Sequence, residues 1–333
     1  MIHDSAWLGA GTRVMTLRGE IAVESVHVGD RVVTLSGEGS TLKPVVAVRS
    51  REIDLGAHPQ PRLAAPVRVR AGAVAAGMPI RDLLMAPGCA LGLEDDDAAR
   101  VLVPAQALAN GASIRREPET GRVTYWQVAL AAHDLLMADG MAVESAVASQ
   151  VVALRPPAAE AAPDLTGRGE SEPCAPVLAR APALHARLLA MALADGYRLT
   201  DDPALELDID GAAAVPLRAD AGGFVILLPA GATLVRLRSR SVIPAELDPA
   251  GGDTRRLGVA VARMVRGGVE LALDGPWFGA GFLAMERDGG AAWRWTDGDA
   301  AMVLPALAEE SLLEAELHAG WSKYWEFTAR VAR

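Results

Sequence analysis

Short Val-rich runs, each closed by Gly, Asp or Pro, recur along most of this chain and exclude a helical bundle. Arg13–Thr16, Glu20–Val28, Arg31–Leu35 and Lys43–Arg49 are the first four. β-branched residues suit a pleated, half-buried surface, and Gly and Asp supply the turns between such surfaces. Gly29-Asp30 and Gly37–Gly39 read as turns. Pro66–Arg70 alternates Val with Arg, as a strand does when one face meets the core. Val101–Val103, Ala112–Arg115 and Thr124–Ala129 continue the pattern, and the acidic run Glu94–Asp97 reads as an exposed loop. The spacing predicts an all-β domain over residues 1–150.

Residues 151–180 break the pattern. They are rich in Pro, Ala and charge and read as a linker. Pro182–Ala194 follows as one short helix, with Gly196 placed to end it. Strand signals then return at Ala204–Ile209, Phe224–Leu228, Thr233–Arg238, Leu257–Val265, Val269–Leu273 and Ala300–Leu304. This predicts a β-sandwich or jelly-roll-like domain over 181–333. Between Ala306 and Arg333 neither period is clear, and one last strand is expected there.

Composition bounds the function. Hydrophobic residues make up 51% of the 333, enough for a sizeable core. A net charge of −10 argues against nucleic acid as a partner. Two cysteines, Cys89 and Cys174, exclude a disulfide scaffold or a Cys-rich zinc site and allow one bridge at most. No metal site or cofactor is expected: Asp201-Asp202, Asp208 and Asp210 lack the Gly and terminal Glu of an EF-hand loop. The N-terminus has no basic start before an apolar run, so no secretory signal is read. No stretch reaches the roughly 18 apolar residues of a membrane span. A cytoplasmic location is the default expectation, with export by a route free of a cleaved leader left open. Eleven of the fourteen aromatic residues lie after residue 190.

An ordered set of short motifs spans residues 7–146. It begins with Gly11-Thr12-Arg13, then Ile21–Glu24 leading into Val28-Gly29-Asp30-Arg31-Val32. Pro66–Ala73, Arg81-Asp82-Leu83-Leu84, Ala86–Leu91, Leu102–Ala105, Leu108–Ile114 and Tyr125-Trp126 follow. His133–Gly140 and Val143-Glu144-Ser145 close it. The set resembles the Hedgehog/intein, or Hint, domain in its bacterial subgroup. The resemblance implies a β horseshoe and self-cleavage by an acyl shift. In that chemistry a Cys or Ser side chain attacks the carbonyl before it, a histidine protonates the leaving nitrogen, and backbone amides hold the oxyanion.

Carried onto this chain, the resemblance puts Trp7 at the nucleophile position and Cys89 where the inner histidine belongs. Indole has no nucleophilic heteroatom for the attack, and a thiol is a weak donor. Ser5 lies two residues upstream, about 6–7 Å away along an extended chain. Six residues precede Trp7, so cleavage would release little. His133-Asp134 is retained, either as a leftover acid/base pair or as a turn in which Asp134 accepts backbone hydrogen bonds and His133 packs beside it. Cys89 reads as a small buried hydrophobe rather than a new nucleophile. The expected site is therefore degenerate: Trp7, Cys89, His133 and Asp134, with no catalytic residue.

In the second half, Leu234–Pro249 and Asp253–Val261 resemble a module of bacterial proteins linked to surface polysaccharide. Arg236, Arg238 and Arg240 fall on one face of an alternating strand. They either clamp an anionic group on a ligand or pair with Glu246, Asp248 and Asp253. Trp293 and Trp295 share a strand face. They form either a platform for sugar rings, with Asp297 or Asp299 accepting hydroxyls, or the sandwich core above an Asp297-Gly298 hairpin turn. The same choice applies to Trp277-Phe278, Trp321, Tyr324 and Trp325. The overall expectation is a non-catalytic Hint-type protein whose partner is a protein, a second copy or a polysaccharide. The alternatives are an autoprocessing domain with unusual residues and a carbohydrate-binding module.

Overall fold

The computed structural model describes residues 6–35, 41–148, 173–318 and 323–326. Ser5, the Gly37–Gly39 turn, Trp321 and most of the 151–180 linker lie outside the described residues. The chain divides into two compact units, Met1–Asp195 and Gly196–Arg333. Both are built mainly of strands.

In the first unit, the short strand Trp7–Gly9 sits between Arg122–Leu130 and Leu83–Met85 in a seven-stranded sheet. Arg122–Leu130 begins with alternating burial, Val123 and Tyr125 inward, and ends wholly buried at Val128–Leu130. The change follows from a new neighbour, because Ala129 and Leu130 pair in parallel with Ala146 and Val147. The same sheet takes Val67–Val69 and Ile114–Arg116, and an eight-stranded sheet carries most of the other motifs. Its hairpin of Leu135–Ala138 and Met141–Glu144 turns on Asp139 and Gly140, at φ of 46° and 79°. Asp-Gly is the pair that tolerates two successive left-handed residues, as a type I′ turn requires.

Lys43–Arg49, expected as one strand, is a corner between sheets. Thr41–Pro44 pairs with Arg31–Thr34, whereas Ala47–Asp54 pairs with Arg122–Leu130. Pro44 has no amide to carry the ladder onward, which explains the break. The helix Pro182–Ala194 has the expected limits and ends before Gly196, whose φ is 94°. It lies in the first unit rather than opening the second. Leu184 and Leu188 are buried in the core that also holds Leu108, and His185 donates to the Ala109 carbonyl at 3.0 Å.

The second unit has a four-stranded, a seven-stranded and a two-stranded sheet. Leu207, Val235, Leu237 and Met302 from the first share one apolar core with Phe224, Ile226, Met264 and Leu313 from the second. That is the layering of a β-sandwich. Two strands rather than one lie after Ala306: Tyr324–Glu326, paired with Arg198–Thr200, and Ser311–Leu317, with Leu313 and Ala315 inward and Glu314 and Glu316 outward. It runs so close to Gly223 that a Cβ there would meet the Ala315 oxygen at 2.0 Å. Asp297-Gly298 is not a hairpin turn. Thr296 ends a strand of the seven-stranded sheet and Asp299 starts one of the four-stranded sheet, so the pair carries the chain from layer to layer. Gly298, at φ 103°, permits the bend.

Candidate functional site

The first strand is locked on both edges. Trp7 pairs with Gln127, Leu8 with Trp126 and Gly9 with Tyr125. On the other side Leu8 pairs with Met85, and the Ala86 amide donates to the Trp7 carbonyl at 2.9 Å. A Cβ on Gly9 would lie 2.8 Å from the Leu84 Cβ, so only glycine lets these two strands approach. The Gly11-Thr12 turn is fixed by its own side chain: Thr12 Oγ1 donates to the Gly9 carbonyl at 2.7 Å. The Gly11 amide donates to Glu24 at 2.9 Å.

Trp7 is 2% exposed, with the Arg51 guanidinium 5.7 Å from its ring centroid. Its indole Nε1 is buried without a hydrogen-bond acceptor. An unpaired buried donor costs about 1–3 kcal/mol, which the burial of so large a ring offsets. Immediately before it, Ala6 adopts a φ of 69°. That left-handed conformation costs a residue with a Cβ about 1–2 kcal/mol. The Ala6–Trp7 peptide is the one an acyl shift at this position would break.

Cys89 lies in the turn after Leu83–Met85, wholly buried, its amide donating to the Ala86 carbonyl at 3.0 Å. Ala86 thus bonds to both Trp7 and Cys89, and both side chains belong to one apolar core. Burial pushes the neighbouring Tyr125 hydroxyl up, with Cys89 adding to the effect. Tyr125 donates to the Ala64 carbonyl at 2.7 Å.

His133 and Asp134 part company. Asp134 is wholly buried and ion-paired with Lys43. It accepts the Leu135 amide at 2.6 Å, and its own amide donates to the Ser145 hydroxyl at 3.0 Å. Every one of these contacts fixes the start of the Leu135–Ala138 strand. His133 points elsewhere. Its Nε2 lies 3.5 Å from Glu144 Oε2, and the Cys174 amide donates to Nδ1 at 3.2 Å. Glu144 is 1% exposed, and its other oxygen accepts the Ala90 amide at 2.7 Å. The acceptor role of Nδ1 puts the neutral ring's proton on Nε2, facing Glu144. Burial alone would lower the pKa of this ring. Contacts to the Cys174 side chain and the Glu144 carboxylate outweigh it and push the value up to about 9.

Sequence reasoning missed Glu144 and the role of Cys174. Glu144 carried one signal, an acid in an otherwise apolar strand, Met141–Glu144. Cys174 carried none, because 41 residues separate it from His133. Both cysteines are free thiols. Among the described residues no group of three or more His, Cys, Asp or Glu is placed to hold a metal. None of the helices there is long and apolar enough to cross a membrane.

In the second unit the arginine row is occupied, though not by the acids nearest in sequence. Arg236 makes a two-pronged contact to Asp299, at 2.6 and 3.0 Å, and Arg238 reaches the same carboxylate at 3.8 Å. Arg240 lies beyond the strand and binds the Asp202 side chain at 2.9 Å and its carbonyl at 2.8 Å. The intended partner Asp253 is held by Arg255 instead, at 2.7 Å. The strand register explains this, because Arg238 stands directly across from Asp299.

The tryptophan pair is not an open platform. Trp295 is 7% exposed and packs on Leu257 and Ala260. Trp293 is half-buried, and its ring is stacked on His318 with centroids 4.5 Å apart. Asp297 accepts the Asp299 amide at 2.9 Å and so shapes the crossing between the sheets.

Residues 8–150 match a protein-family model described as the Hint domain. Among solved structures, a bacterial intein-like domain from Clostridium thermocellum is similar at 16% identity. It covers 42% of this chain and 98% of its own, with a TM-score of 0.31. The MchDnaB-1 intein is similar at 15% identity, covering 41% of this chain and 98% of its own, with a TM-score of 0.29. Comparison with curated proteins finds no match.

Proposed function

We propose that the Hint domain formed by residues 8–150 of this chain does not cleave itself, and that the protein acts as a structural or binding module. The observation that carries this reading is Trp7. A bulky ring without a nucleophilic heteroatom fills the position from which attack would come, in a strand paired on both edges. Cys89 supports it, since a wholly buried thiol cannot replace an imidazole as proton donor to a leaving nitrogen. The occupied arginines and the buried Trp295 favour a protein surface or a second copy over a glycan as the partner.

Restoring the chemistry tests which side chains silence it. The double variant Trp7→Cys, Cys89→His gives back a nucleophile and a donor on the same backbone. It loses about 3–5 kcal/mol of packing at residue 7. Thiol-dependent cleavage before residue 7, followed by mass spectrometry, is the expected gain. A folded but inert double variant would mean that these two replacements are not what silences the site.

A further inference from the structure

Beside Trp7 the first unit carries two arginines with no acid to meet. Arg49 and Arg51 lie two residues apart on the strand Ala47–Asp54. They therefore share a face, with Cα atoms about 6.5–7 Å apart. The register fixes what else lies on that face. Arg49 stands across from Gln127, Gln127 across from Trp7, and Arg51 across from Tyr125. Paired residues point the same way. The acids of this strand, Glu52 and Asp54, alternate to the opposite face, where Arg122 holds them at 3.2 and 3.6 Å. We propose that Arg49 and Arg51, set against the Trp7 ring, form a site that binds a carboxylate.

The electrostatics of this face call for an anion. Both arginines are partly buried. Among the described residues neither is ion-paired with an acid, and Arg49 Nη1 is enclosed without any acceptor. Two like charges held side by side away from bulk water repel, and an enclosed donor without a hydrogen bond is costly. A negative group between them relieves both. The Arg51 guanidinium lies 5.7 Å from the Trp7 ring centroid, and the Trp7 indole Nε1 is a further buried donor without an acceptor. The face is rich in donors and lacks what they need.

The chemistry selects the ligand. A guanidinium fork matches the two oxygens of a planar carboxylate. The Trp7 ring supplies a flat apolar wall, which suits a planar group better than a tetrahedral phosphate. Arg51 breaks no ion pair in turning from the ring to the ligand. A small free carboxylate and the C-terminal end of a peptide carry the same group. This site rests on the reading of the domain as a binding module.

The test is a titration of the isotope-labelled full chain, followed by its indole N–H signals and balanced throughout with chloride. The Trp7 signal is the one missing in Trp7→Phe. The probes are acetate, an acetylated alanine peptide with a free C-terminus, its amidated form, and inorganic phosphate. A saturable shift of the Trp7 signal with acetate, and none with the amidated peptide, is expected. Tighter binding of the free peptide than of acetate assigns the site to a chain end, and equal or weaker binding assigns it to a small carboxylate. Arg49→Gln, which removes an unpaired charge and leaves the ring contact in place, should weaken acetate binding about ten-fold or more. Arg51→Gln should do the same, read as affinity rather than as signal position. Absence of a saturable shift, tighter binding of phosphate, or unchanged affinity in Arg49→Gln would overturn the proposal. Self-cleavage is read separately by intact mass. A chain that stays whole under thiol yet gives no saturable shift loses this site alone, whereas a cut before Trp7 removes the reading beneath it.

Discussion

At the scale of single residues, two features near Trp7 and His133 can be measured directly. Ala6 sits at φ 69° with its methyl buried against Ala129 and Ala146. Glycine there would remove the conformational strain but lose a buried methyl worth about 0.8 kcal/mol and gain freedom in the unfolded chain. These effects nearly cancel, so Ala6→Gly should be close to neutral. Ala6→Val adds β-branching to a left-handed residue and should cost about 2 kcal/mol or more in denaturant unfolding. His133 gives a pH dependence of known sign. Its folded value, about 9, stands above the ordinary 6.5. Its contribution is therefore fully present below about 6.5 and disappears as pH rises through about 9. The stability difference between the wild type and His133→Asn should shrink from pH 6.5 to 9.5. A difference that grows over that range would contradict the account.

At the scale of elements, the helix Pro182–Ala194 makes the strongest case. Its limits were legible because Pro182 suits a first helical turn and Gly196 ends it. Its allegiance was not, because a linker precedes it and strands follow it. Leu184 and Leu188 pack into the first unit's core. Leu188→Ala should therefore lower the stability of the first unit by about 2–4 kcal/mol and leave the second unit's transition in place. Two-step unfolding with only the later-chain step shifted would refute that assignment. The same limit applies to the Lys43–Arg49 corner and to Asp297-Gly298. Strand propensity marks where a chain is extended, but it does not say which sheet receives it.

At the scale of the whole molecule, an all-β chain whose residues 7–146 resemble a Hint domain was readable from an ordered motif set, and the family match over residues 8–150 covers nearly the same stretch. The candidate site was readable only in part. Trp7, Cys89, His133 and Asp134 could be placed by motif. Asp134 nevertheless serves the Leu135 strand start, and His133 turns to Glu144 and Cys174. Partners drawn from distant sequence leave no local pattern, and the Arg236–Asp299 contact fails for the same reason. The central claim is that this chain keeps a Hint scaffold without its self-cleavage. Intact-mass spectrometry of the purified full chain, after long incubation with a strong thiol, tests it most directly. The account predicts a single species at the full mass, apart from reversible thiol adducts. A species beginning at Trp7, with the upstream piece released, would contradict it.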